Sequence, residues 1–221
     1  MTELRLISGA ALAEPAAAEA PPLRLPPGRH GIPADLVRAH QRLRLLEAAA
    51  NALAEQGYGR ITAARVTELA GVSSRTFYQH FEDLWACLLA AYETEAGLLC
   101  QEIESVCGRT LAEGDRRGRA RAGIAAALAF LANQPSAARL LSAEPPPQIT
   151  ALAGARRDLV ERLGAMLRSV LAPGGATPLP GLERRLIGAA LALVSARAAS
   201  GDPHRLRQLE PELSELLLVS L

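Results

Sequence analysis

Apolar residues recur along this chain at helical spacing, three and four apart, rather than in alternation. Leu36, Leu43, Leu46, Ala50 and Leu53 predict a first helix from just after Pro33 to Gln56, with one apolar face. Gly57 ends it as a C′ residue, and Tyr58 and Ile61 fold back onto the core. Thr62 suits an N-cap, because its hydroxyl can accept from the free amides of a first turn. Val66 and Leu69 then give a short second helix its inward side. Gly71 permits a tight turn that a Cβ resists, Val72 fills the angle, and Ser73 caps a third helix. With Phe77 at the centre of that helix's inner face, Phe81 and Ser73 lie about 40° to either side, at ~100° per residue. Arg75, Tyr78 and Gln79 project outward, flanked by Ser74 and Thr76.

Further on, Asp83 caps a fourth helix that runs to about Val106, with Trp85, Leu89, Tyr92, Ala96, Leu99 and Ile103 forming its stripe. Gly108 and the stretch from Gly114 to Gly118 predict a loop. Helices follow over Ala120 to Ala132 and from Pro135 to Ala143, where the Pro145-Pro146-Pro147 run forces a break. Ile149 to Leu171 is a long helix with Leu152, Leu159, Leu163, Met166, Leu167 and Val170 facing in, and 173–181 is loop. Between Leu186 and Val194 the next helix, Leu182 to Ala199, is apolar all round, so it must be covered on more than one side. A terminal helix after Pro211 carries Leu213, Leu216, Leu217, Leu218 and Val219. The fold class is all-α.

Composition supports that reading. Ala, Leu and Arg dominate, β-branched and aromatic residues are few, and 49% of the 221 residues are hydrophobic. All 24 basic residues are arginine, so any phosphate contact must come from Arg, hydroxyls or backbone. Net charge is +1, yet from Arg24 to Phe81 eight Arg stand against four acids, a local excess of +4. Residues 1–23 carry −2 and residues 82–221 carry −1. The first 33 residues are rich in Ala and Pro and read as an extended or disordered arm. There Arg29 and His30 are placed to follow a phosphate backbone or enter a minor groove, or simply to be solvated.

Little in the chain resembles catalytic machinery. HExxH, GxSxG, Walker and GxGxxG patterns are missing, His40 and His204 are isolated, and Glu47 and Glu161 read as solvated faces. Cys87, Cys100 and Cys107 lack CxxC or Cys/His clustering, so they predict reduced, buried thiols rather than a disulfide framework or a metal site. No segment approaches the ~20 apolar residues of a membrane span. The first 22 residues lack the basic start and unbroken apolar run of a signal peptide. A cytoplasmic protein with no catalytic residues, metal or cofactor is expected.

The combined pattern is more specific than any part of it. Ala70-Gly71-Val72-Ser73, Thr76-Phe77-Tyr78-Gln79-His80-Phe81 and Leu88-Leu89-Ala90-Ala91-Tyr92 make residues 28–93 resemble the DNA-binding domain of the TetR family of transcriptional regulators. The resemblance implies that Ser74, Arg75 and Thr76 meet bases or nearby phosphates. It also implies that Tyr78 and His80 touch the backbone, and that Thr62 and Ser73 present capped amides to phosphate, with Gln79 on the same face. One departure stands out. The family commonly carries a phosphate-binding lysine near the start of the fourth helix, whereas here Leu84-Trp85 follow Asp83. Arg42, Arg44 or the arm would have to supply that contact.

The expected organisation is an arm (1–33), a helix-turn-helix DNA-binding domain (34–82) and a helical ligand-binding and dimerisation domain (83–221). Leu186, Ala189, Ala190, Leu193, Leu213 and Leu217 are the expected dimer surface, forming a four-helix bundle across a twofold axis; internal core is the competing reading. Six of the seven aromatics lie between Tyr58 and Tyr92, so a pocket beyond them would be lined by Leu, Ala, Val and Met. An unknown apolar or amphipathic small-molecule effector fits such a lining. The expected function is a homodimeric repressor of a palindromic operator, released by that effector. An activator or ligand-independent regulator of the same fold, or a helical enzyme or ligand carrier, are the alternatives.

Overall fold

The computed structural model describes residues 33–109, 115–171 and 181–219. Among them ten helices and no strand are found, and residues from Pro33 onward form one compact unit. The arm, with Arg29 and His30, and the expected loop at 173–180 lie outside the described residues.

Three helices build the head: α1 (Ala34–Gln56), α2 (Ala63–Ala70) and α3 (Ser74–His80). Leu45, Val66 and Phe77 are fully enclosed at its centre, with Ile61 and Phe81 beside them. The expected stripe of α1 needs correction at its N-terminal end. Leu36 and Leu43 are 59% and 61% exposed, while Leu45, absent from the expected stripe, is buried. The first turns of α1 run past the head core, so apolar residues there have nothing to pack against.

Helix α4 (Leu84–Arg109) starts against α1 and continues into the body, where it packs on α5 (Arg116–Asn133), α6 (Pro135–Ser142) and α7 (Thr150–Leu171). Its Asp83 cap accepts from the Ala86 amide at 2.7 Å. Cys87, Leu88, Ala91, Tyr92 and Leu99 are buried along it. At 1.5 Å per residue its 26 residues span about 39 Å. Gly108 belongs to α4 and Gly118 to α5, not to a loop. Asp115 starts α5 early by accepting from the Gly118 amide at 2.7 Å, and a Cβ at Gly118 would meet that carboxylate at 2.2 Å.

The body closes with α8 (Leu182–Ala198), α9 (Pro203–Arg207) and α10 (Glu210–Val219). The sequence reading did not include α9; Asp202 caps it and proline opens it, a start that lacks an apolar repeat. Helix α8 packs on α6, α7, α9 and α10, which explains its lack of a polar face.

Head and body are joined by polar contacts as well as by α4. Arg139 of α6 donates to the Ala54 carbonyl near the end of α1. The Leu141 carbonyl, at the end of α6, accepts from Tyr92 and from Arg156 of α7, both at 3.4 Å. Arg156 also pairs with Glu144 at 2.9 Å. Burial pushes the Tyr58 phenol beside this joint up to about 12, with the Arg156 charge opposing.

Candidate functional site

The turn between α2 and α3 is set by three local devices. The Thr62 hydroxyl accepts from the Arg65 amide at 3.2 Å, opening α2. Gly71 takes a left-handed conformation (φ 61°, ψ 39°), and its amide reaches the Glu68 carbonyl at 3.1 Å. The Ser73 hydroxyl accepts from the Thr76 amide at 3.1 Å and meets the Thr76 hydroxyl at 2.9 Å. These two hydroxyls are therefore largely committed to holding the helix start.

Phe77 and Phe81 anchor α3, their ring centroids 5.9 Å apart. Tyr78 stands edge-on to Phe77 at 5.2 Å and is 61% exposed. Ser74, Arg75 and Gln79 are exposed beside it. This leaves one hydroxyl, one guanidinium, one phenol and one amide on a single free face. Such a set can read base edges in a major groove and bind phosphate.

The remaining expected contacts are engaged within the head. The Arg42 guanidinium lies 4.6 Å above the Phe81 ring, which leaves its N–H rim open at the surface. Arg44, half-buried, points the other way: it donates to the carbonyls of Ala70 and Gly71. Those carbonyls end α2 and have no amide to satisfy them, so a guanidinium finds them first. His80 Nε2 lies 3.4 Å from Gln41 Oε1 of α1. Burial, helped by the charges of Arg38 and Arg42, holds its imidazole below the usual histidine range. His80 is thus favoured neutral, a hydrogen-bonding group rather than a charge. Leu84 and Trp85, where a phosphate-binding lysine is wanting, are half-buried against the core.

A second site lies in the body. A cavity of about 390 Å³ opens between α4, α5, α7, α8 and α10. Leu99, Ile124, Leu131, Leu163, Met166 and Val194 are among its lining residues, and none of the lining is aromatic. Its few polar groups are Glu104, Cys107, Arg119 and Ser169. The Cys107 thiol is raised by burial, the Arg119 charge acting against the shift. Cys87 is driven up to about 12 by its burial and Cys100 is raised for the same reason, so these thiols are held protonated.

The cavity corrects the expected dimer surface. Leu213, Leu217 and Ala190 line it, and Leu186 is also buried by the chain's own helices. Of the six expected residues only Ala189, exposed, and Leu193, half-buried, face outward. Ala192 and Ala196, not expected, continue the outer face of α8. An all-apolar helix says that several sides are covered, without saying whether the cover is the same chain or another.

Residues 45–91 match the family model described as bacterial regulatory proteins of the tetR family. The whole fold is shared with solved regulators at low identity. The fatty acid degradation regulator FadR from Bacillus halodurans is 18% identical with a TM-score of 0.69, covering 80% of this chain and 94% of that one. FadR from Bacillus subtilis, solved in complex with stearoyl-CoA, is 16% identical with a TM-score of 0.61, over 81% and 98% of the two chains. A TetR-like transcriptional regulator from Rhodococcus sp. RHA1 is 19% identical with a TM-score of 0.59, over 88% and 97%. Among the described residues no helix is long and apolar enough to cross a membrane.

Proposed function

The head of this chain is a DNA-binding domain of the tetR family of bacterial regulatory proteins, and from that premise we propose that the protein is a homodimeric repressor of a palindromic operator, released when a small apolar or amphipathic effector enters the body cavity. The family and the fold are those of transcription factors, not enzymes.

One observation carries the proposal. Helix α4 is a single element with one end in each site. Cys87 and Leu88 pack it into the head, while Leu99, Ile103 and Cys107 place its far end on the cavity. A ligand that displaces the far end tilts the near end, and with it the Ser74–Arg75–Tyr78–Gln79 face. The ligand acts only through its different affinity for the two arrangements. The working division is then a head over 34–82 and an effector and dimerisation body over 83–221.

A palindrome requires two heads about one helical turn apart, roughly 34–36 Å or somewhat more. The outer face of α8 (Ala189, Ala192, Leu193 and Ala196) with half-buried Leu216 of α10 is the surface we assign to pairing. Small residues there let a partner helix approach closely. The apolar lining favours an aliphatic ligand over a flat, stacked one, and the stearoyl-CoA held by the Bacillus subtilis fold neighbour is an amphiphile of that kind.

Footprinting on the DNA upstream of its own gene and its neighbours tests the proposal. A symmetric protected site, occupied by two chains and lost on adding an aliphatic effector, is the expected result. Failure to bind any sequence selectively, there or genome-wide, overturns it.

A further inference from the structure

The cavity's polar groups are few enough to be accounted for one at a time. The Ser169 hydroxyl donates to the Met166 carbonyl at 2.8 Å, and the Cys107 thiol donates to the Arg119 carbonyl at 3.7 Å. Glu104 is exposed at the rim, where water solvates its carboxylate. Arg119 is different. It is half-buried, its Nε is fully enclosed, and that Nε has no hydrogen-bond partner among the described residues. No carboxylate among the described residues lies within ion-pair distance of its guanidinium, although seven other pairs form elsewhere.

An enclosed guanidinium donor left without an acceptor is costly, because it has lost water and gained nothing. Here it stands on the wall of an apolar chamber, on α5, facing the end of α4 at Cys107. We infer that this cavity binds an unbranched aliphatic anion, with the hydrocarbon chain laid along Leu99, Leu131, Leu163 and Met166 and the anionic end group bound by Arg119. Arg119 is then the residue that sets specificity: it accepts carboxylate or phosphate ends and rejects neutral and cationic ones. The volume bounds the chain. At about 30 Å³ per water-sized group, 390 Å³ holds roughly a dozen methylenes, so medium to long chains fill it and short ones leave it part empty.

The inference rests on the reading of this cavity as the effector site, and the experiment separates the two. Calorimetric titration of the full-length dimer, below micellar concentration, compares dodecanoate, dodecyl phosphate, dodecanoyl-CoA, dodecanol and dodecyltrimethylammonium. The anions should bind about ten-fold or more tightly than dodecanol, as a charge-assisted contact requires, and the cation should bind weakest. Hexanoate should bind more weakly than dodecanoate. Arg119→Gln should bring dodecanoate down to the affinity of dodecanol while leaving dodecanol unchanged, and Arg119→Lys should restore part of the preference. A carboxylate source is indicated if dodecanoate binds tightest, a phosphate-bearing source if the phosphate or CoA ester does; either supports the inference. Equal binding of dodecanol and the anions by the wild-type protein overturns the anion inference and leaves the cavity reading standing. Binding by none of the five overturns both.

Discussion

Arg44 of α1 donates to the carbonyls of Ala70 and Gly71, so the first helix holds the turn that aims the third. This bond to uncapped carbonyls is made by a charged donor in a half-buried position, a setting worth roughly 1.5–3 kcal/mol. Arg44→Met should therefore lower unfolding free energy by about 1–2 kcal/mol in a denaturant titration. Because the guanidinium serves the turn and not a phosphate, the slope of log affinity against log salt should not change. A slope shallower by about one unit would return Arg44 to the DNA backbone.

On α3 the two faces should respond oppositely to truncation. Arg75→Ala and Tyr78→Ala remove exposed groups, so stability should stay within about 0.5 kcal/mol while operator affinity collapses. Phe77→Ala opens a hole at a fully buried position and should cost about 3–5 kcal/mol. Gel-shift titration beside thermal melting reads both. If Arg75→Ala and Tyr78→Ala leave operator binding intact, this face is not the reading surface.

His80 supplies a pH signature. Its imidazole is held below the usual histidine range by burial and by Arg38 and Arg42, so the unfolded chain binds the proton more readily. The stability it contributes is present above the unfolded value, near 6.5, and is lost as pH falls from there through the lower folded value. Glu95 acts in the opposite sense, because burial and the Glu47 charge raise its carboxyl. The comparison is therefore against His80→Gln, which keeps Glu95. Wild type should lose more melting temperature than the variant between pH 7 and pH 5; equal losses would show that His80 titrates normally.

What the sequence reveals of this molecule follows how local each device is. Thr62, Gly71, Ser73 and Asp83 act within three or four residues, so their roles can be read from type and spacing alone. Phe77 and Phe81 are legible for the same reason, the helix being short and its only large apolar residues lying on one face. Arg44 is not, because its partner lies 26 residues away and nothing local distinguishes a guanidinium facing phosphate from one facing a carbonyl. Leu36 and Leu43 mislead because periodicity describes a stripe but not where the neighbouring helices stop. Arg119 carries no motif at all; only the folded arrangement shows its Nε enclosed and unmatched.

The dimer surface is the case where periodicity was ambiguous in kind, and it yields the last prediction. Leu213 and Leu217 turn inward to the cavity, whereas Ala189, Ala192 and Ala196 lie along the open side of α8 at spacings of three and four. Glutamate at Ala192 would be solvated in an isolated chain, so the subunit should keep its fold, with stability changed by about 0.5 kcal/mol or less. In a dimer packed through this face the same carboxylate would be buried without a partner and would meet its symmetry copy. Ala192→Glu should thus give a folded monomer by light scattering, with far-UV circular dichroism unchanged and operator affinity lost. Leu213→Glu, by contrast, places charge in the body's core and should unfold it. A dimer that persists in Ala192→Glu would assign pairing to another surface.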